Sequence, residues 1–381
     1  MSTKFYGWTG RHIRVDLTNS DVQVVEDNPD VMKNYLGARG LGIKYMMDEI
    51  DPKIDAFEPQ NRFIIATGPL TCMPPAGNRT YFVTKSPLTG GIANAGVDNL
   101  PAVIKAGRMC NDMGMDTISA GVTVGCAMEL FERGVLPDKD VGYPLKFGDA
   151  EGLLDLVQKM ASREGFGWIM GEGSYRLADR YGHPELSMTV KKQELPNYDP
   201  RGVKGQGLAF VTNNRGADHC RAEVNCSEIY ETTMLGYWSP GKDVDRHAIK
   251  GKAKMTKHYQ DYCAWAYDSL GFCYFLLMDT PEQDVVDLLE SATGVDFGGV
   301  DALNKIGERI FTLERLFNLK AGMSAKDDTL PKRFLKEPMP EGPSKGQVFE
   351  QDQILPEYYK LRGWDESGVP GLDKLKDLNI L

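Results

Sequence analysis

Between Asn197 and Arg221 the chain reads NYDPRGVKGQGLAFVTNNRGADHCR, and no other stretch places so much unusual backbone and polar chemistry in so few residues. Gly202, Gly205, Gly207 and Gly216 offer conformations closed to other residues and let main-chain N–H groups approach a bound anion. Asp199, Arg201, Arg215, Asp218, His219 and Arg221 crowd charge around them. A loop that only reverses the chain needs one or two glycines and gains nothing from ordering so many ionisable groups. The stretch is therefore expected to sit at a site; a solvated connector is the alternative that composition leaves open.

A chain of 381 residues exceeds what one hydrophobic core usually fills, so two or three domains are expected. A net charge of -10 argues against nucleic acid as the main partner, because phosphate contacts need clustered Lys and Arg. Residues 1 to 20 lack an apolar core of signal-peptide length, and no apolar run of about 18 residues occurs. A cytoplasmic protein without a membrane partner is the expectation. The seven cysteines, at 72, 110, 126, 220, 226, 263 and 273, are odd in number and scattered, which fits reduced thiols rather than a disulfide framework. None of them joins a Cys/His cluster at zinc-like spacing.

Alternation of Ile13, Val15 and Leu17, then of Val22 and Val24, predicts a hairpin turning at Thr18 to Ser20. Asp30 reads as the N-cap of a helix through Ile50, interrupted by Gly37, Gly40 and Gly42. RFIIATG and TYFVTKS read as further strands. Beyond Ala95 the period becomes helical: Leu100 to Asn111, Ile118 to Arg133, a stripe through Leu153 and Met160, a run from Met255 to Leu270, and Leu303 to Phe317. Thr280-Pro281-Glu282-Gln283 reads as a capping box, and residues 324 to 350 as irregular surface chain. These observations predict an α+β protein: a truncated β-rich N-terminal domain over 1–95, a helical domain with the glycine-rich site loop over 96–250, and a helical C-terminal domain over 251–381.

Asp268-Ser-Leu-Gly271-Phe272-Cys273 and Asn111-Asp-Met-Gly114-Met115-Asp116 share one frame, Asx-x-x-Gly-apolar-(Cys or Asp), each after a predicted helix. Glycine turns the chain out of the helix and leaves the preceding side chain to accept hydrogen bonds from a planar, guanidine-like edge. An ordinary helix stop containing glycine is the other reading of each. No phosphate loop, dinucleotide fingerprint or nucleophile elbow is complete.

The glycine-rich stretch, together with GWTGRHIRVDL near the start, YDSLGFC at 267–273 and EYYKLRGWDESGVP near the end, resembles the aldehyde:ferredoxin oxidoreductase family of tungsten bis-pterin enzymes. Known members are considerably longer, and the chain passes from the end of their first domain into the middle of their second. The resemblance implies a pterin-binding N-terminal domain and oxidation of an aldehyde to a carboxylic acid at a tungsten or molybdenum bis-pterin, with ferredoxin or another electron acceptor. It allows magnesium as a further ion, and a homo-oligomer. His219 would be the acid/base residue, an imidazole titrating near neutrality beside the metal. Asp268, Gly271 and Cys273 would hold one pterin and Asn111, Gly114 and Asp116 the other, where Asn111 replaces the family's Asp and offers one acceptor oxygen instead of two. Arg79 and Asn94 match positions that contact pterin phosphate or amide groups, and Arg215 and Arg221 flank His219. Of the four cysteines that bind the family's [4Fe-4S] cluster, only Cys273 has a counterpart here, and one cysteine cannot hold the cluster. A non-catalytic derivative of the family, natural or engineered, is therefore the rival expectation.

Overall fold

The computed structural model describes residues 6–71, 99–230, 245–273 and 280–381, with the backbone of 81–83. Arg79, Asn94, Cys72 and the expected domain boundary after Ala95 lie outside them. The architecture is α+β, with a small β-containing N-terminal region followed by helices.

β1 (Arg11–Asp16) pairs antiparallel with β2 (Asp21–Glu26), Ile13 opposite Val24 and Val15 opposite Val22. Asp16 Oδ1 accepts the N–H groups of Thr18 and Asn19 at 2.9 and 3.1 Å and so fixes the turn. The alternation located the hairpin but not the direction in which it faces. Ile13 and Val24 are 66% and 64% exposed, while the polar face docks: His12 Nδ1 lies 2.7 Å from Asp27 Oδ1, and Arg14 Nη2 reaches Glu49 Oε1 at 2.5 Å.

α1 (Pro29–Tyr35) is capped by Asn28, whose side chain accepts from Asp30 N, because Pro29 takes the first helical position. The expected cap at Asp30 is thus displaced by two residues. The helix stops at Leu36, with φ +62°, and α2 (Ala38–Glu49) restarts after Gly37. β3 (Ile64–Ala66) and β4 (Tyr81–Val83) form a second antiparallel ladder.

The helices α3 (Leu100–Asp112), α4 (Thr117–Glu132), α5 (Asp138–Val141), α6 (Ala150–Ser162), α7 (Gly167–Met170) and α8 (Ser174–Arg180) follow. They build a core of their own, with Cys110, Val124, Met128, Leu156 and Leu177 inside it. β5 (Thr189–Val190) and β6 (Gln193–Glu194) lead into α9 (Lys204–Thr212), a 3₁₀ turn over His219–Arg221 and α10 (Val224–Tyr230). α11 (Lys252–Tyr262) runs into a π-helical turn, Cys263–Tyr267, and α12 (Glu282–Thr293) and α13 (Gly299–Lys320) complete the central layer.

Thr280 does not cap α12: the capping position is Pro281, with no side-chain hydrogen bond, so the expected capping box does not form. Residues 324 to 350 are more regular than expected. Ser324 and Asp327 make a reciprocal capping box around a short 3₁₀ turn, and α14 (Lys332–Lys336) follows. α15 (Gln351–Arg362) and α16 (Leu372–Asp377) close the chain.

Two clusters draw on distant parts of the sequence. One joins Met32, Leu41 and Met46 to Tyr259, Trp265, Phe272, Ile310 and Leu313. The other joins Leu208 and Phe210 to Phe311, Phe334, Ile354 and Trp364. Both contain residues from either side of position 250.

Glycine sets the closest approaches. α11 and α13 cross where Gly307 faces the Asp261 backbone, and a Cβ there would overlap the Asp261 carbonyl. Replacing Gly307 by Ala gains up to about 1 kcal/mol in helix propensity. It overpacks the crossing at a cost of about 1–3 kcal/mol. The urea midpoint of Gly307→Ala is accordingly expected to fall, and a midpoint at or above wild type would contradict this account of the crossing.

Candidate functional site

The glycine-rich stretch is not one loop. Lys204 to Thr212 form α9, buried along its whole length. Gly205 and Gly207 are there for packing: a Cβ on Gly205 would meet Val224 and Glu228, and one on Gly207 would meet Phe349. Of the four glycines only Gly216, with φ +121°, needs a left-handed backbone. The anion received by the first turn of α9 is the protein's own. Glu228 takes the N–H groups of Gly205 and Gln206 at 2.8 and 3.1 Å and a 2.5 Å ion pair from Lys252. Burial nevertheless holds the Glu228 carboxyl above its ordinary value. Asp199 and Arg201 likewise pair with each other at 2.7 Å.

Beyond α9 the chain turns through Asn213–Gly216 into the 3₁₀ turn that carries His219 and Arg221. Asp218 caps that turn, accepting Cys220 N at 2.9 Å through Oδ1, while its Oδ2 accepts Arg215 Nη1 at 2.9 Å. His219 is half-buried. Its Nε2 stands 3.5 Å from Cys220 Sγ and 3.9 Å from Glu223 Oε1, and its ring neighbours that of Tyr198 at 5.7 Å.

Arg221 reaches out of the turn to Asp268, Nη1 to Oδ2 at 2.8 Å. Asp268 follows directly on the π-helical turn, its N–H bonded to Cys263 O at 3.0 Å. The same Oδ2 accepts Arg39 Nη1 at 2.7 Å. Arg39, on the first turn of α2, is 3% exposed and spends its other two nitrogens on Glu314 of α13, at 2.7 and 2.5 Å. Four segments separated by up to 275 residues thus meet in one buried network of alternating charge. Burial opposes the charge on Arg39, but Glu314 and Asp268 outweigh it and hold the guanidinium firmly protonated. Burial also pushes Glu314 up, and the Arg39 charge more than reverses that, so the carboxyl sits below its ordinary value.

Gly271, with φ +81°, carries the chain out of this corner as expected. A Cβ on Gly37 would come 2.8 Å from Gly68 Cα and 2.9 Å from Ser269 O, and one on Gly271 would come 2.9 Å from Gly68 N. Three glycines therefore press the N-terminal region against the Asp268 turn. Cys273 lies just beyond, half-buried.

The second motif has the same backbone, Gly114 at φ +70°, in a different setting. Asn111 and Gly114 are exposed, and Asp116 caps α4 by accepting Ser119 N at 2.6 Å. It connects to the site through β6. Ser119 Oγ donates to Glu194 Oε2 at 2.9 Å, and the side chain of the adjacent Gln193 packs against Gly216. His219, Arg215, Arg221, Asp268 and Gly271 are therefore brought together, while Asn111, Gly114 and Asp116 stand one strand away.

Two buried acceptor oxygens beside the Asn213–Gly216 turn, Asn214 Oδ1 and Gln193 Oε1, have no hydrogen-bond partner among the described residues. Acceptors of this kind suit the N–H edge of a pterin. A cavity of about 410 Å³ opens nearby between α4 and α14, lined by Val122, Cys126, Leu186, Met188, Tyr198 and Phe334 among others. Arg39 and Glu314 escaped the sequence reading. Arg39 carried a signal, a lone charge within GARGLG, whereas Glu314 stands beside an ordinary helical stripe and carried none.

Residues 86–380 match the family described as "Aldehyde ferredoxin oxidoreductase, domains 2 & 3", and residues 12–118 match its N-terminal domain. The chain is 51% identical over 292 residues to the tungsten-containing aldehyde ferredoxin oxidoreductase of Pyrococcus furiosus, covering 76% of this chain and 47% of that one. Its counterpart in Thermococcus kodakarensis is 49% identical over the same length and shares. An aliphatic sulfonate oxidoreductase, WOR-like subunit, of Pyrococcus furiosus is 28% identical over 297 residues, covering 75% of this chain and 44% of that one. The chain spans about half the length of the curated relatives it matches. In fold it is similar to the active site complex BamBC of benzoyl coenzyme A reductase, with TM-score 0.72 and 16% identity, covering 99% of this chain and 97% of that one.

Replacing Arg39 by Met removes the guanidinium bonded to Glu314, while Asp268 keeps Arg221, and loss of one partner of such a pair costs about 3–5 kcal/mol. The sign with pH follows from Glu314. A carboxyl whose folded pKa is depressed contributes stability that is present above its unfolded pKa and lost as pH falls through the folded value. The deficit of Arg39→Met against wild type is thus greatest near neutrality and narrows on acidification, as urea midpoints across the carboxylate range will register; a deficit independent of pH would refute it.

Proposed function

The chain belongs to the aldehyde ferredoxin oxidoreductase family, and on that premise we propose that it binds a tungsten bis-pterin and oxidises an aldehyde to a carboxylic acid. The observation that carries this reading is the convergence of the His219 turn with Asp268 through Arg221. The donor set fits one end of such a group: Arg221 and Arg215 offer cationic forks, and Asn214 Oδ1 and Gln193 Oε1 offer acceptors that have no partner among the described residues. Asp268, Gly271 and Cys273 would border one pterin, and Asn111, Gly114 and Asp116 the other. Arg79 and Asn94 would contribute from outside the described residues. When bound, the group supplies the two-electron acceptor for the oxidation.

The rest of the chemistry falls to the chain. Hydration and oxidation of an aldehyde release protons, and His219 Nε2 would take one, with Glu223 Oε1 at 3.9 Å to balance the resulting charge. Tyr198 neighbours the imidazole and also lines the cavity, whose walls mix apolar side chains with Glu129, Asp199 and Arg333 and whose size suits a small molecule. It would hold the aldehyde's carbon chain there and keep water from its far side. Ferredoxin is one acceptor for the electrons, and the choice between tungsten and molybdenum follows the relatives, which contain tungsten by name.

Electron exit favours a second reading, a derivative that folds and binds the group without turning over. Cys110, Cys126 and Cys263 are buried core thiols, and burial pushes Cys126 up to about 12 and Cys263 well above its ordinary value. A [4Fe-4S] cluster built on this chain alone would want for cysteines.

Metal and pterin analysis of anaerobically purified protein is expected to find tungsten or molybdenum with pterin. Replacement of His219 by Asn should then abolish aldehyde-dependent dye reduction by about 10²-fold or more while metal content stays unchanged. Absence of both metal and pterin would remove the enzymatic reading, and undiminished turnover would remove His219 from it.

A further inference from the structure

We propose that Asp218, His219, Cys220 and Glu223 form a binding site for a zinc-class divalent cation. A donor atom from each of Asp218, His219 and Cys220 lies within 4.8 Å of the other two. His219 Nε2 and Cys220 Sγ are 3.5 Å apart. Two ligands at the usual zinc distances, one nitrogen and one thiolate sulfur, subtend about 3.6 Å at a tetrahedral angle, so this pair already has the separation of a ligated one. Glu223 Oε1 is 3.9 Å from the same nitrogen, against about 3.3 Å in a ligated pair, and its Oε2 accepts Cys226 Sγ at 3.4 Å, so its ligation requires a shift of that side chain.

The two oxygens of Asp218 face different ways. Oδ2 takes the guanidinium groups, Arg215 at 2.9 Å and Arg221 Nε at 3.6 Å, while Oδ1 lies on the side of Cys220, whose N–H it accepts at 2.9 Å. A cation would meet the Oδ1 side. The side chains of Asp218, His219 and Glu223 are 8%, 15% and 8% exposed, so opposite charges there are little screened. One imidazole, one thiol and two carboxylates make a borderline donor set, which suits zinc better than magnesium or calcium. The neighbouring guanidinium groups temper the affinity, which is expected to be below that of a closed structural zinc site.

All four donors lie within six consecutive residues, so the site does not rest on the redox reading and would persist in a chain that binds no pterin. It does bear on that reading, because a cation held by His219 Nε2 withdraws the nitrogen from proton transfer.

The test uses the full chain after chelator treatment, titrated separately with Cd²⁺ and Co²⁺. The expected result is a thiolate-to-cadmium charge-transfer band in the ultraviolet that saturates stoichiometrically, with the intense visible bands of tetrahedral cobalt. Cys220→Ser should abolish the charge-transfer band, and Glu223→Gln should weaken cadmium binding by about tenfold. Absence of the band in the wild-type chain, or its survival in Cys220→Ser, overturns the proposal. Should Cys220→Ser lose its native circular dichroism, His219→Gln keeps the thiol and must still weaken cadmium by about tenfold; unchanged affinity there also overturns it.

Discussion

Arg39 holds the molecule's centre because one planar cation can satisfy carboxylates from two directions at once. Its Nη1 bonds Asp268 at the end of a π-helical turn, and its remaining nitrogens bond Glu314 on α13. Burial pushes Glu314 toward its neutral form, and the Arg39 guanidinium, with a smaller contribution from Arg221, reverses the push. Arg221 shares Asp268 and so draws the His219 turn into the same corner. The placement of the imidazole is thus a consequence of charge balance in the core.

Glycine makes that corner sterically accessible. Gly37, Gly68 and Gly271 let three backbones approach where any side chain would intrude, and the same device recurs at Gly307. Gly205 and Gly207 belong to this class as well. They read in the sequence as part of an anion-binding loop, yet in the fold they seat a buried helix whose N-terminal N–H groups are satisfied by Glu228. A buried carboxylate paired with Lys252 costs less than an open helix end with no partner.

The chain spans about half the length of the curated relatives it matches. The two halves of the expected cofactor contacts are unequal here. The Asp268 turn is buried and cross-linked, whereas the Asn111 turn is exposed and tied to the site only through Ser119, Glu194 and Gln193. β1 and β2 carry an exposed apolar face, with Ile13 and Val24 turned outward.

Local chemistry was legible without the fold. Alternation at Ile13, Val15, Val22 and Val24 gave the hairpin, 3.6-residue spacing gave α3, α4, α6 and α13 to within a few residues, and Gly114 and Gly271 both adopt the positive φ expected of helix exits. Each depends on neighbours within a few positions of the chain. The roles that needed distant partners were not legible. That Arg39 faces Glu314, that Glu228 receives N–H groups of the first turn of α9, and that Arg14 ties the hairpin to Glu49 are settled by contacts across tens to hundreds of residues. Sequence determines what a segment can form; which of its groups become buried, and therefore what must neutralise them, is decided only when the segments meet.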